Sequence, residues 1–381
     1  MNLDHIPILD HHAHLFFREE VWRSTPLEAY LSEAFDPVML ERFVPDTVTA
    51  RRGVRKLATF YGCEPTRDEV LKARARWNLA DLAKKMFAQS NISQVLIDDG
   101  VWPEMMIGLK DFSGMTGVPV RRVLRCEFEL AKLVESASSQ HDLFDRFERL
   151  LRESAPSLIG LKSIIAYRTG LDIQRHSAND LELAFADLKR DLEPAGPAGI
   201  STPRINNKSL LDVMLWVALR VARDTNLPMQ FHTGYGDPDL DLRLANPLHL
   251  RPIFESSDLA GVKVVMLHCY PFVKEAGYLA SVYPGAFMDL GLTIPYMSTH
   301  AMLTSTLEAF HLAPITKILF STDASRTPEL YWLGARQGRR IIARALEHLM
   351  QDDDLTFFEA EWAAKRILNG NTQDVYRLES E

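Results

Sequence analysis

Eight short runs rich in Val, Ile and Leu recur along this chain, at 6–12, 93–98, 121–125, 159–164, 228–232, 262–268, 286–290 and 317–322. They lack the polar alternation of half-exposed strands, a pattern that belongs to parallel strands covered on both faces. Segments of helical character separate most of them, such as 208–224 and 328–349. Eight strands alternating with helices predict an α/β fold of the (β/α)8 TIM-barrel type, with a doubly wound open sheet as the competing arrangement. Barrels reach 381 residues as one unit with insertions, so a single domain over 1–381 is expected.

One interval breaks the rhythm. The stretch 23–89 separates the first run from the second, and its Leu, Ala, Arg and Lys content reads as a helical insertion or cap after strand 1. Its cations include Arg51, Arg52, Arg55 and Lys56, followed by Arg67, Lys72, Arg74 and Arg76. They read first as a solvated helical face and second as an anion-attracting lid.

Hydrophobic residues at 46% suffice for a large core, and a formal net charge of −8 weighs against a general nucleic-acid binder. Cys63, Cys126 and Cys269 form no CxxC pair, which fits a reducing compartment, and Cys269 reads as a packing residue. The first residues lack a signal-peptide pattern, and the apolar stretch 211–222 is too short to span a bilayer and is interrupted by Arg220. A cytoplasmic protein without membrane partners is expected, acting on a small molecule. Association into a homo-oligomer stays open.

The chemistry concentrates where the runs end. In Asp10-His11-His12-Ala13-His14, residues two apart on a strand share a face, so His12 and His14 can hold one ion. By the same alternation His11 should face the helices or sit in packing, and Asp10 should lie below the pair and orient a ligand. His232, His268 and Asp323 end the fifth, sixth and eighth runs. In a parallel barrel all strand C-termini open on one face, so these residues converge. Imidazole and carboxylate suit a divalent metal, zinc first, with manganese or iron as alternatives. Lys162 ends the fourth run; it would either pair with a substrate carboxylate or take up carbon dioxide as a carbamate bridging two ions.

These residues, in this order, resemble the amidohydrolase superfamily, and specifically its amidohydrolase-2 branch, including the amidohydrolase-like part of FluG-type proteins. The likeness runs through Gly160-Leu161-Lys162-Ser163-Ile164-Ile165, Phe231-His232-Thr233-Gly234, His268-Cys269-Tyr270-Pro271, Ser321-Thr322-Asp323-Ala324 and Asn369-Gly370-Asn371. In FluG-type proteins that part is joined to a glutamine-synthetase-like portion not found in these 381 residues, which weakens a carry-over of glutamyl substrates. The resemblance implies that His12, His14 and Asp323 bind one metal and His232 and His268 a second, with carboxylated Lys162 between them. In a single-metal version His232 joins the first set and His268 acts in catalysis or orientation.

The implied reaction is hydrolysis of an amide C–N bond by a metal-bound hydroxide, with Asp323 accepting a proton and passing it to the departing amine. Arg168, Tyr235, Asp237, Arg243 and Arg326 follow strands four, five and eight and are expected to line the mouth. Arginine binds carboxylates in bidentate fashion, so the expected substrate is a small carboxylate-bearing amide, for example a γ-glutamyl-type amide. A metal-dependent decarboxylase of an unsaturated or aromatic acid, or a non-catalytic metal-loaded binding protein, are the alternatives.

Overall fold

The computed structural model describes residues 1–190, 204–292 and 296–378. Its strands are β1 (Ile8–Ala13), β2 (Ile92–Asp98), β3 (Val120–Arg125), β4 (Gly160–Ser163), β5 (Met229–His232), β6 (Val264–Leu267), β7 (Ala286–Asp289) and β8 (Ile318–Leu319). They pair in parallel in strict chain order, which is barrel order and not the permuted order of a doubly wound sheet. The seam between β8 and β1 is drawn together by other bonds. Thr322 donates its N–H to Asp10 Oδ1 at 2.9 Å, Asp323 its N–H to the His12 carbonyl at 3.1 Å, and His14 its N–H to the Ala324 carbonyl at 2.8 Å.

Alternation along the strands explains both the unbroken apolar runs and the site above them. Ile8, Val95, Ile97, Leu124, Leu161, Phe231, Val264, Met266 and Ile318 point outward into the main core under the helices. Leu9, Leu96, Val123, Val265, Leu267 and Leu319 point inward and close the barrel floor with Val375 and Tyr376. Two residues on from Leu96, Val123 and Phe287, which packs against this floor, stand Asp98, Arg125 and Asp289, so the apolar plug gives way to polar groups toward the strand C-termini.

β1 departs from simple alternation. Its register with β2 shifts between Asp10 and Ala13, and such a bulge resets which face each side chain meets. Of the two places expected for His11, a face toward the helices is therefore not met, and the ring is instead packed fully buried inside the barrel. His11 Nε2 lies 3.0 Å from Asp289 Oδ1, its Nδ1 is 3.4 Å from the Tyr376 hydroxyl, and Gln230 Nε2 donates to its carbonyl across the barrel. Asp10 instead holds Thr322, through both the N–H and a hydroxyl bond of 2.5 Å, and so supports the chain on which Asp323 stands.

Between β1 and β2 run the helices Val48–Tyr61, Arg67–Arg74 and Leu79–Ser90, each capped by a side chain, Thr47, Thr66 and Asn78 respectively. Leu79–Ser90 packs between Leu109–Thr116 and the long helix Pro328–Gln351, so it takes a place in the outer ring of the barrel. The preceding part is pinned to the same long helix by buried polar contacts. Arg74 Nε lies 2.6 Å from Glu329 Oε1, which also accepts from the Tyr61 hydroxyl, and Trp22 Nε1 donates to Thr327. Among the described residues no helix is long and apolar enough to cross a membrane.

The long helix also touches the end of β8. A Cβ on Gly338 would stand 2.3 Å from the Phe320 ring, which is fully buried and has nowhere to swing. In an open helix Gly→Ala gains about 1 kcal/mol, but overpacking a closed core costs about 1–3 kcal/mol. Gly338→Ala is therefore expected to lower stability, read as a lower urea midpoint with an unchanged slope; an unchanged or higher midpoint would contradict this packing.

Candidate functional site

The strand C-termini open into a cleft of about 310 Å³ whose lining includes His12, His14, Lys162, His232, His268 and Asp323. His12 and His14 come from the end of β1, Lys162 from β4 and His232 from β5. His268 follows β6 with φ 70°, and Asp323 follows β8 with φ 48°. Both are left-handed conformations that non-glycine residues adopt at some cost, and they occur together at a mouth where function can require them. For His268 the effect is specific. Leu267 already faces inward, so an extended His268 would turn to the helices, whereas here it faces Asp323.

Asp323 is the hub. Its Oδ1 lies 3.1 Å from His12 Nε2 and 3.3 Å from His14 Nε2, and its Oδ2 is 3.5 Å from His268 Nε2. Lys162 Nζ is 3.4 Å from His12 Nε2, and the His232 ring sits 4.6 Å from that of His268. Atoms bound to one tetrahedral ion at 2.0–2.2 Å stand about 3.3–3.6 Å apart, and at octahedral angles about 2.8–3.1 Å, so the hub's spacing suits a shared cation. Further observations fit the same group. Among the described residues, His12 Nδ1, His232 Nε2 and His268 Nδ1 are buried without a hydrogen-bond partner. His14 Nδ1 is 2.9 Å from the Asp98 carbonyl; donating there, it keeps its proton on Nδ1 and leaves Nε2 free to ligate.

Burial favours neutral imidazoles, which is the ligating form. It lowers His12 to about 3, aided by Lys162, and His268 to about 4. Burial opposes ionisation of Asp323, but the facing imidazoles of His268, His12 and His14 outweigh it and hold the carboxyl well below its usual range. Burial also lowers Lys162, to about 8, against the pull of Asp98 and Asp323.

Of the residues expected at the mouth, Arg168, Asp237 and Arg326 line the cleft. Tyr235 is half-buried and its N–H donates to the Tyr270 carbonyl, but it is not part of the lining. Arg243 is not brought to the cleft: its side chain is 87% exposed and pairs with Asp241.

The cleft also holds residues that the strand-end reasoning did not name. Arg125 of β3 lines it and is held through two nitrogens by Asp98, buried at the end of β2. Asp98 was visible by the rule that found Asp323, an acid closing an apolar run. The Tyr167 ring is tilted 50° against that of His232 with centroids 4.3 Å apart, and Glu33, Phe35, Trp102, Arg204 and Tyr296 also line the cleft. Glu33 arrives from the insertion; burial raises its carboxyl, with Arg326 opposing. No local pattern marks it.

The family model described as Amidohydrolase matches residues 176–378. Protein fluG of Emericella nidulans is 31% identical over 402 aligned residues, covering 98% of this chain and 46% of that protein, so the chain spans about half the length of this relative. A proposed metal-dependent hydrolase of Lactobacillus casei has a similar structure, with TM-score 0.86 and 28% identity over 99% of this chain and 98% of the other. Uronate isomerase of Thermotoga maritima shares the fold, with TM-score 0.65 and 12% identity over 98% and 95% of the two chains. With the family match extending over more than half of its length, the chain belongs to the amidohydrolase-2 branch of the amidohydrolase superfamily.

Proposed function

We propose that this chain is a metal-dependent hydrolase that cleaves the C–N bond of a small, carboxylate-bearing amide. The observation that carries the reading is the convergence of His12, His14 and Asp323 at ligand spacing, with His232, His268 and Lys162 on the same buried floor. The likeness to the proposed metal-dependent hydrolase of Lactobacillus casei supports it. His12, His14 and Asp323 would hold the ion, zinc first. A divalent cation, when bound, supplies Lewis acidity toward a carbonyl and lowers the pKa of water.

The chain's own groups do the rest. Asp323 takes a proton from the attacking water and returns it to the departing amine, and His268, 3.5 Å from the other oxygen, orients it. Of the guanidiniums that line the cleft, Arg125 is engaged by Asp98, Arg204 by Asp239, and Arg326 lies over the Tyr30 ring, 5.8 Å from its centroid. Arg168 has no carboxylate within 4.0 Å among the described residues and is the natural receiver of the substrate's carboxylate.

The test is a chelator-stripped protein reloaded with zinc, manganese or iron and given a panel of carboxylate-bearing amides and aromatic acids. Amine release that the chelator abolishes and metal restores is expected. Carbon dioxide release in its place, or no turnover at full metal loading, would overturn the reading.

Metal number turns on Lys162, which is 1% exposed and has its Nζ beside His12. If the centre holds two ions, Lys162 is carboxylated, its intact mass rises by one carbon dioxide, and Lys162→Ala drops metal content from two per chain to one. One ion in both proteins would assign a single-metal centre and leave Lys162 for the substrate carboxylate.

A further inference from the structure

We propose that a second cleft, on the flank of the barrel, binds an organic phosphate: a phosphate monoester carried on an apolar body. The cleft measures about 360 Å³, lies between the insertion helix Val48–Tyr61 and the long helix Pro328–Gln351, and shares no lining residue with the site at the barrel mouth. Among the described residues, six cationic and two acidic side chains line it, in a chain whose net charge is −8. The overall sign of the protein therefore does not account for it.

The cations are arranged in rows. Arg336, Arg340 and Arg344 succeed one another at intervals of four on the long helix, and Arg52 and Lys56 do the same on the insertion helix. Like charges at this spacing repel along a helix face, and here two such rows border one cleft. Lys56, Arg336, Arg340 and Arg344 have no carboxylate within 4.0 Å among the described residues. Burial and the neighbouring Arg340, Arg336 and Arg52 hold the Lys56 amine below its ordinary value, the sense expected where cations crowd without an anion. The sixth cation, Arg339, is committed elsewhere, to the carbonyls of Ile6, Ser90 and Asn91. Of the acids, Glu347 faces the Met1 amino group and Asp4 lies at the rim.

The floor selects the rest of the ligand. Leu3, Leu31, Trp332, Leu333 and Ala343 present apolar surface beneath the cationic rim. A phosphate takes the fork of one guanidinium while carrying charge enough for a second, and an apolar body attached to it covers the floor. Inorganic phosphate would leave that floor wet.

The experiment is calorimetric titration of the metal-loaded full chain with 1-naphthyl phosphate, with inorganic phosphate in parallel. Arg336 and Arg340 are exposed, so Arg336→Ala/Arg340→Ala should fold normally. Its affinity for naphthyl phosphate is expected to fall at least ~10-fold, the scale of losing one charge-assisted contact. Arg336→Lys/Arg340→Lys should recover part of that loss, and Arg168→Ala, at the mouth, should bind as the parent does. Absence of binding by the parent at millimolar ligand, or binding that the double alanine variant leaves intact, would overturn the site. Equal affinity for inorganic phosphate would overturn the role of the apolar floor.

Discussion

His12→Ala/His14→Ala protein is expected to purify folded, with almost no divalent metal and with amide hydrolysis reduced by far more than ~10²-fold. Both imidazoles present Nε2 to the same Asp323 oxygen, at 3.1 and 3.3 Å, and removing them leaves that carboxylate only His268, at 3.5 Å. Loss of a group that merely orients a ligand typically costs 10–100-fold in metal affinity or activity, so the loss of two direct ligands must exceed it. The fold has separate support at this point. The bonds that draw β8 to β1 run through Asp10, the His12 carbonyl and the His14 N–H, none of which is an imidazole. Circular dichroism matching the parent, together with metal analysis by mass spectrometry, tests the assignment; metal content equal to the parent's would remove both residues from the centre.

The barrel and its floor of ligand-type residues were legible because each follows from one local rule. An apolar run without alternation marks a strand covered twice, and a His or Asp at its end marks the face where strands open. That rule reached His12, His14, Lys162, His232, His268 and Asp323, which the structure brings together. For His11 its first reading, a face toward the helices, fails because a bulge in β1 shifts the alternation between Asp10 and Ala13, and alternation counted along the sequence carries no sign of a bulge. It placed Arg243 at the mouth because order along a loop says nothing about where its tip points; the 3₁₀ turn Leu242–Leu244 holds Arg243 on Asp241 in solvent. Glu33 and Tyr296 were missed for the opposite reason. They stand on long excursions from the barrel, and only the packing of the insertion, where the Tyr296 hydroxyl donates to the Tyr30 carbonyl, returns them to the cleft.

Asp323→Asn is expected to lower kcat by ~10²–10⁴-fold in protein that carries its full metal, with a much smaller change in KM. Asparagine is the right substitution because residue 323 has φ 48°, a left-handed conformation that Asn tolerates and Ala does not, so backbone strain is not added to the chemistry. The amide keeps the size of the side chain but replaces one carboxylate oxygen with a group that has no lone pair to offer. If the lost oxygen is the one facing His12 and His14, ligation weakens and metal content falls; if it is the one facing His268, ligation survives and proton acceptance is lost. Metal analysis on the kinetic samples separates the two, and only the metal-replete fraction bears on catalysis. Substrate capture is proposed for Arg168, another residue of the cleft lining, so KM should respond to Arg168→Ala more than to Asp323→Asn. A metal-replete Asp323→Asn enzyme turning over at the parent rate across neutral pH would show that another group moves the proton.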